Sequence, residues 1–199
     1  MDNSIVELLN QRVSSPRLTE PAPNKDQLQQ IFKSALRTPD HMMLRPWRYL
    51  IIEGEARKKL GDLFLSSARQ VATSSVKLAS DNSIEEINEF KAEKLKTMPM
   101  RAPMIIVAVA SLVDHPKVPD QEQILSCGVG VGYMLLSLQA LGYGGIWRTG
   151  DMAFNRYVCD GLGLKENESI VGFLYLGTPI GELKPIPEVD TGDYFTEWS

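Results

Sequence analysis

The sequence predicts an α+β fold, and three observations carry that reading. Ala102–Ser111 and Ser169–Leu176 are near-continuous apolar runs of strand length, the pattern of strands covered on both faces. Several other segments place apolar residues at helical spacing, clearly so at Leu28, Ile31, Phe32, Ala35 and Leu36. Helical and strand patterns follow one another irregularly, without the βαβα alternation of a doubly wound parallel sheet.

Taken in order, Ser4-Ile-Val-Glu7 has the form of a capping box and predicts a short helix to about Gln11. Arg12, Val13, Ser14 and Ser15 then fall at a helix end or loop, and Pro16 to Pro23 is an extended connection. Asn24-Lys-Asp-Gln27 repeats the capping pattern and opens a second helix. It stops near Thr38, because the residue before Pro39 is pushed out of the helical region. A loop over Arg37–Trp47 leads into a strand, Arg48–Glu53, marked by β-branched and aromatic content. Helical spacing returns from Glu55 to about Val76, and Ser83-Ile-Glu-Glu86 is read as the cap of a charged helix reaching about Lys96.

The run from Ala102 to Ser111 predicts a central strand. Between Glu122 and Arg148 the chain then carries no charge. The helical part of this stretch is apolar on every side and so calls for burial on every side, in a core, a subunit interface or lipid. Ser126, Ser137 and Gln139, the stop at Gly142, Gly144 and Gly145, and flanks without a basic cluster argue against lipid. Gly128 and Gly132 are spaced to let another helix or a ligand approach the backbone. Gly145–Thr149 reads as a short strand or extended loop, Asn155–Leu162 as a helix closed by Gly163, and Ser169–Leu176 as a strand ending in Gly-Thr-Pro. From about residue 181 to residue 199 the chain has too few apolar residues for a core of its own, so this tail is expected to wrap on the body or on a partner subunit. The chain as a whole is expected to be one domain.

With 199 residues, 43% hydrophobic and 23% charged, a sizeable core is within reach. A net charge of -4 and the absence of a basic stripe argue against a nucleic-acid partner. The N-terminus lacks the basic-then-apolar order of an export signal, and Cys127 and Cys159 stand alone, so a cytoplasmic protein with reduced, buried thiols is expected. Zinc-protease, nucleophile-elbow and triphosphate-loop motifs are missing, and Gly128-Val-Gly-Val-Gly132 does not match a dinucleotide loop. No metal site and no set of protein acid–base groups is predicted. What remains are arginines at element ends, where binding residues concentrate: Arg12 with Ser14, Arg37 with His41, Arg45 with Pro46 and Trp47, Arg148 with Trp147 and Thr149. Arginine offers a planar fork of donors suited to phosphate.

In these motifs the sequence resembles the bacterial nitroreductases that bind flavin mononucleotide (FMN), especially their short branch. The markers are Arg12-Val-Ser14, Arg37-Thr-Pro-Asp-His41, Arg45-Pro-Trp47, Gly145-Ile-Trp-Arg-Thr-Gly150 and Ile170-Val-Gly-Phe-Leu-Tyr-Leu-Gly-Thr-Pro179, and they span nearly the whole chain. The resemblance implies a central β-sheet flanked by helices and an intertwined homodimer with FMN at the interface. Its cofactor-binding residues would be Arg12, Val13, Ser14, Arg37, His41, Trp147, Arg148 and Thr149, with Arg37 and His41 reaching across from the second subunit. It further implies an oxidoreductase in which NAD(P)H gives hydride to the flavin and an electron-poor acceptor, such as a nitro compound, then takes the electrons. Same-fold alternatives are reduction of quinones, enals, halogenated rings or flavin, or flavin binding without turnover. Two departures stand out. Val13 replaces a second basic residue common before the serine, and Met43-Leu-Arg45 replaces the more usual Asn-x-Gln, so the role of Arg45 is not carried over.

Overall fold

In the computed structural model, which describes residues 4–78 and 87–199, an antiparallel sheet forms the middle layer. Its strands are β1 (Leu18–Thr19), β2 (Trp47–Glu53), β3 (Met104–Ser111), β4 (Gly144–Arg148) and β5 (Glu168–Pro179). β3 lies between β2 and β5; β4 pairs with β5 from Gly144↔Gly177 to Arg148↔Phe173, and β1 pairs with the last two residues of β5. The apolar run read as a central strand is therefore central. β5 extends three residues beyond the predicted Leu176, because Gly177, Thr178 and Pro179 find partners in β4 and β1. β1 itself lies within the segment read only as extended connection.

Side chains alternate across β3, and each set buries against its own helices. Met104, Ile106, Ala108 and Ala110 pack with Ile31 and Ala35 of α2 (Lys25–Ala35) and with Cys127, Val131, Met134 and Leu138 of α5 (Asp120–Ala140). Ile105, Val107 and Val109 pack on the other face with Leu60 and Phe64 of α3 (Ala56–Leu78), Leu95 of α4 (Glu89–Thr97) and Val158 of α7 (Arg156–Gly161). Helices thus flank the sheet on both sides. Across its far edge, Arg48 forms a two-pronged pair with Glu168 at 2.6 and 2.7 Å, and the carboxylate is almost fully buried. Arg48 holds the Glu168 carboxyl down at about 2, well below the ordinary carboxylate range, against the opposing effect of burial.

One predicted cap forms as read. Asn24 accepts from the Gln27 N–H at 3.0 Å while the Gln27 side chain accepts from the Asn24 N–H at 2.9 Å, completing the capping box. The first helix, α1, spans Ser4–Asn10, with Ser4 inside it. Ser83-Ile-Glu-Glu86 lies outside the described residues, and α4 is capped by Asn88, whose side chain accepts from the Lys91 N–H at 2.8 Å. A helical turn not foreseen in the sequence, α6 (Asp151–Phe154), precedes α7.

The uncharged stretch differs from expectation in one respect. α5 buries Gln123, Cys127, Gly130, Val131, Met134 and Leu138, but Ile124, Leu125 and Val129 remain exposed, Leu125 at 61%. Burial on every side is not achieved within one chain. Gln123 anchors the start of the helix: its amide accepts from the Val113 N–H at 2.9 Å and donates to the carbonyls of Val113 and Val118. Gly130 is the tightly packed glycine of α5, since a Cβ there would lie 2.6 Å from the Tyr49 hydroxyl; Gly132 faces open space. After Ala140 the chain turns through Gly142, whose φ of 81° favours glycine, and enters β4.

Candidate functional site

Where α1 ends, Arg12, Val13, Ser14 and Ser15 run beside the start of β4, and the Ser15 N–H donates to the Gly145 carbonyl at 3.0 Å. This close approach needs glycine at Gly144, where a Cβ would lie 2.6 Å from Pro179 Cγ and 2.7 Å from Ser15 Oγ. A cavity of about 370 Å³ opens there. Its polar wall holds Arg12, Gln139 and Lys184; Val13, Leu135 and Leu183 contribute to an apolar wall. Ser14 is exposed and lines an adjoining cavity of about 290 Å³ with Arg17 and Lys184, whereas Ser15 is buried.

At the other end of β4, alternation sends two neighbours to opposite faces of the sheet. Trp147 lies on the α5 side: its Nε1 donates to the Val171 carbonyl at 3.3 Å, and a Cβ at Gly128 would sit 3.3 Å from its ring. Arg148 lies on the other side, its guanidinium carbon 5.4 Å from the centroid of the Tyr175 ring, with a buried Nε that has no hydrogen-bond partner among the described residues. Burial pushes the Tyr175 hydroxyl up to about 12, against the pull of Arg148 and Arg101 in the other direction. Thr149 is exposed and leads into Gly150.

Arg37 and His41 follow α2 at the opposite end of α5. Thr38 Oγ1 donates to the Ser126 carbonyl and Ser126 Oγ donates to the Pro39 carbonyl, each at 2.9 Å, so the loop is tied to the first turns of that helix. His41 Nδ1 lies 2.8 Å from Glu122 Oε2, and Arg37 is exposed. Met42, Met43 and Arg45 all have left-handed backbone conformations, with φ of 60°, 53° and 50°, which are costly for side chains of this size. Asp40 helps hold the strained turn by accepting from the Arg45 N–H at 2.7 Å. Arg45 itself is exposed.

The predicted residues therefore fall into groups. Arg12, Val13 and Ser14 stand at one end of β4, and Trp147, Arg148 and Thr149 at the other, about 14 Å away at roughly 3.4 Å per residue. Arg37 and His41 are not brought to them within one chain. Gln139 holds α1 by donating to the Leu8 carbonyl at 3.0 Å, and Glu122, the partner of His41, is about 25 Å away at 1.5 Å per residue of helix. Lys184 was missed in the sequence. The available signal was its standing as the lone basic residue in residues 181–199.

Comparison with known proteins decides the family: the Nitroreductase family profile matches residues 9–178. The chain belongs to the nitroreductase family. Among relatives of this nitroreductase-family chain, YdjA of Escherichia coli (strain K12), provisionally named an NAD(P)H nitroreductase, is 39% identical over 188 residues, covering 94% of each chain. A Haemophilus influenzae protein with the same provisional designation is 30% identical over 191 residues, covering 95% of this chain and 96% of its own. A crystal structure of a nitroreductase-like family protein from Bacillus cereus superposes with a TM-score of 0.79 at 23% identity, covering 100% of this chain and 97% of that one. The nitroreductase NfnB of Sphigopyxis sp. strain HMH, described as FMN- and NADPH-dependent, superposes with a TM-score of 0.71 at 18% identity, covering 98% and 99%. At these identities the two structures establish the shared fold.

Proposed function

We propose that this chain is an FMN-dependent oxidoreductase that takes hydride from NAD(P)H and reduces nitro compounds or related electron-poor acceptors. The observation that carries the reading is the cavity at the start of β4, with Arg12 and Lys184 on one wall and Val13, Leu135 and Leu183 on another. Such a lining suits a cofactor with an anionic phosphate tail and an apolar body. Arg12 and Lys184 hold the phosphate, Ser14 and Val13 line the adjoining chain, and β4 with Trp147 and Thr149 forms a wall for the ring, while Arg148 lies on the opposite face of the sheet. FMN supplies two-electron hydride chemistry when bound; the protein contributes position, charge and exclusion of water. Trp147, braced by its bond to Val171, fixes the shape of that wall.

The site is completed by a second copy of the chain. The exposed face of α5 supports this, together with Ile5, Val6 and Leu9 on α1 and Leu183, Ile186, Tyr194, Phe195 and Trp198 in the tail, all left open by one chain. Packing two α5 helices antiparallel about a two-fold axis sets the Arg37–His41 end of one beside the Arg12 end of the other. The tail first lines this chain's own cavity through Leu183, Lys184 and Ile186 and then continues onto the partner, and residues 1–199 act as one domain in the cytoplasm.

Titrating the purified protein with FMN, then adding NADH or NADPH and a nitroaromatic, tests the reading. Stoichiometric FMN uptake, bleaching of the flavin by a reduced nicotinamide and its reoxidation by the acceptor are expected. A protein that takes up no FMN, or whose flavin neither nicotinamide bleaches, contradicts it.

A further inference from the structure

Beyond the cavity assigned to the flavin phosphate, the groove continues to a second basic site. The cavity that Ser14 lines with Lys184 shares Pro16, Arg17 and Ile180 with an open cavity of about 460 Å³, whose walls are those three residues with Leu18, Arg101 and Arg148. Three arginines thus converge on one opening. None of its lining residues is acidic, although the adjoining cavity that Arg17 shares with Lys184 also holds Glu182, and among the described residues none of the three arginines is in a salt bridge. Arg148 is held in place from behind by the Tyr175 ring, and its Nε is buried with no hydrogen-bond partner among the described residues. Arg17 is fixed through its backbone, its carbonyl accepting from the Ile180 N–H at 3.1 Å. Three like charges brought together without a counter-ion repel one another, and an anion relieves that repulsion.

We propose that Arg17, Arg101 and Arg148 bind the phosphates of the nicotinamide dinucleotide that donates hydride. The inference rests on the reading of the chain as an NAD(P)H-dependent flavoprotein. A phosphate-bearing substrate that must reach the flavin enters along the same groove, and a guanidinium cluster matches phosphate oxygens in geometry and charge. The site accounts for donor binding without a glycine-rich dinucleotide loop. It also gives Arg148 a role on the face of the sheet opposite Trp147.

The test uses the full-length, FMN-loaded protein carrying Arg101→Gln, an exposed position that lines neither of the cavities given to the flavin. NADP⁺ and NAD⁺, which do not reduce the flavin, are titrated by calorimetry beside the parent protein. Kd is expected to rise about tenfold or more, as for a lost charged hydrogen bond, with FMN retention and melting temperature unchanged. A larger loss for NADP⁺ than for NAD⁺ assigns the site to the 2′-phosphate, and an equal loss assigns it to the pyrophosphate. Unchanged Kd for both dinucleotides overturns the proposal, as does a variant that loses its dimer while binding dinucleotide normally, which would assign the arginines to a protein partner. Failure of the underlying flavoenzyme reading is distinguishable, because the parent protein itself would then take up no FMN or resist bleaching.

Discussion

The indole of Trp147 occupies the space that a side chain at Gly172 would need: a Cβ built on Gly172 meets Trp147 Nε1 directly, and its distance to the Arg148 carbonyl is 3.1 Å. The glycine inside β5 is thus the seat of the tryptophan in the proposed flavin wall, an example of a strand glycine permitting close approach. Gly172→Ala is expected to destabilise the protein by about 1–3 kcal/mol through overpacking and to release the indole. Thermal unfolding and tryptophan fluorescence check this; an unchanged melting temperature with unchanged emission would speak against the packing described.

Arg12 and Lys184 are assigned to one phosphate, and their removal separates binding from folding. Neither makes a salt bridge among the described residues, so each substitution leaves the fold intact. Arg12→Ala is expected to weaken FMN affinity by about 1.5–3 kcal/mol, with a similar loss for Lys184→Ala. Fluorescence titration with FMN reads the effect, and riboflavin, which lacks the phosphate, should bind parent and variants alike.

Acid stability is set in part by the Arg48–Glu168 pair. The folded Glu168 carboxyl titrates at about 2, below its ordinary value of 4.5. Its contribution is therefore fully present above about pH 4.5 and is lost as pH falls through about 2. Glu168→Gln should lower unfolding free energy by about 2–3 kcal/mol at neutral pH, and the gap to the parent should close steadily between pH 4.5 and 2. Denaturant titrations across this range test the sign; a gap that widens toward acid pH contradicts the assignment.

Much of the fold could be read from residue patterns because its signals are local. The Asn24–Gln27 box, the continuous burial of Met104–Ala110, and the stop at Gly142 each follow from a few neighbouring residues. β1 escaped because a two-residue strand carries no periodicity, and the Asn88 cap of α4 was not singled out in the sequence. The site was less legible. Arg12, Trp147 and Arg148 stand out by type and motif, but that Trp147 and Arg148 face opposite sides of the sheet depends on the register of β4 against β5. Lys184, Arg17 and Arg101 come from separate segments joined only by the tertiary fold. The open face of α5 was hidden by a composition that looks apolar all round.

The proposed flavin site is shared between two chains, with Arg12 from one and Arg37 from the other. Arg12→Ala and Arg37→Ala, each purified alone, are expected to bind FMN poorly. Mixed under conditions that exchange subunits, they form heterodimers in which one of the two sites has both arginines and the other has neither. Tight FMN binding is expected to return in the mixture, to roughly a quarter of all sites at random exchange. If subunits exchange and no tight site returns, Arg12 and Arg37 do not serve one site across the interface, and the shared-site account is wrong.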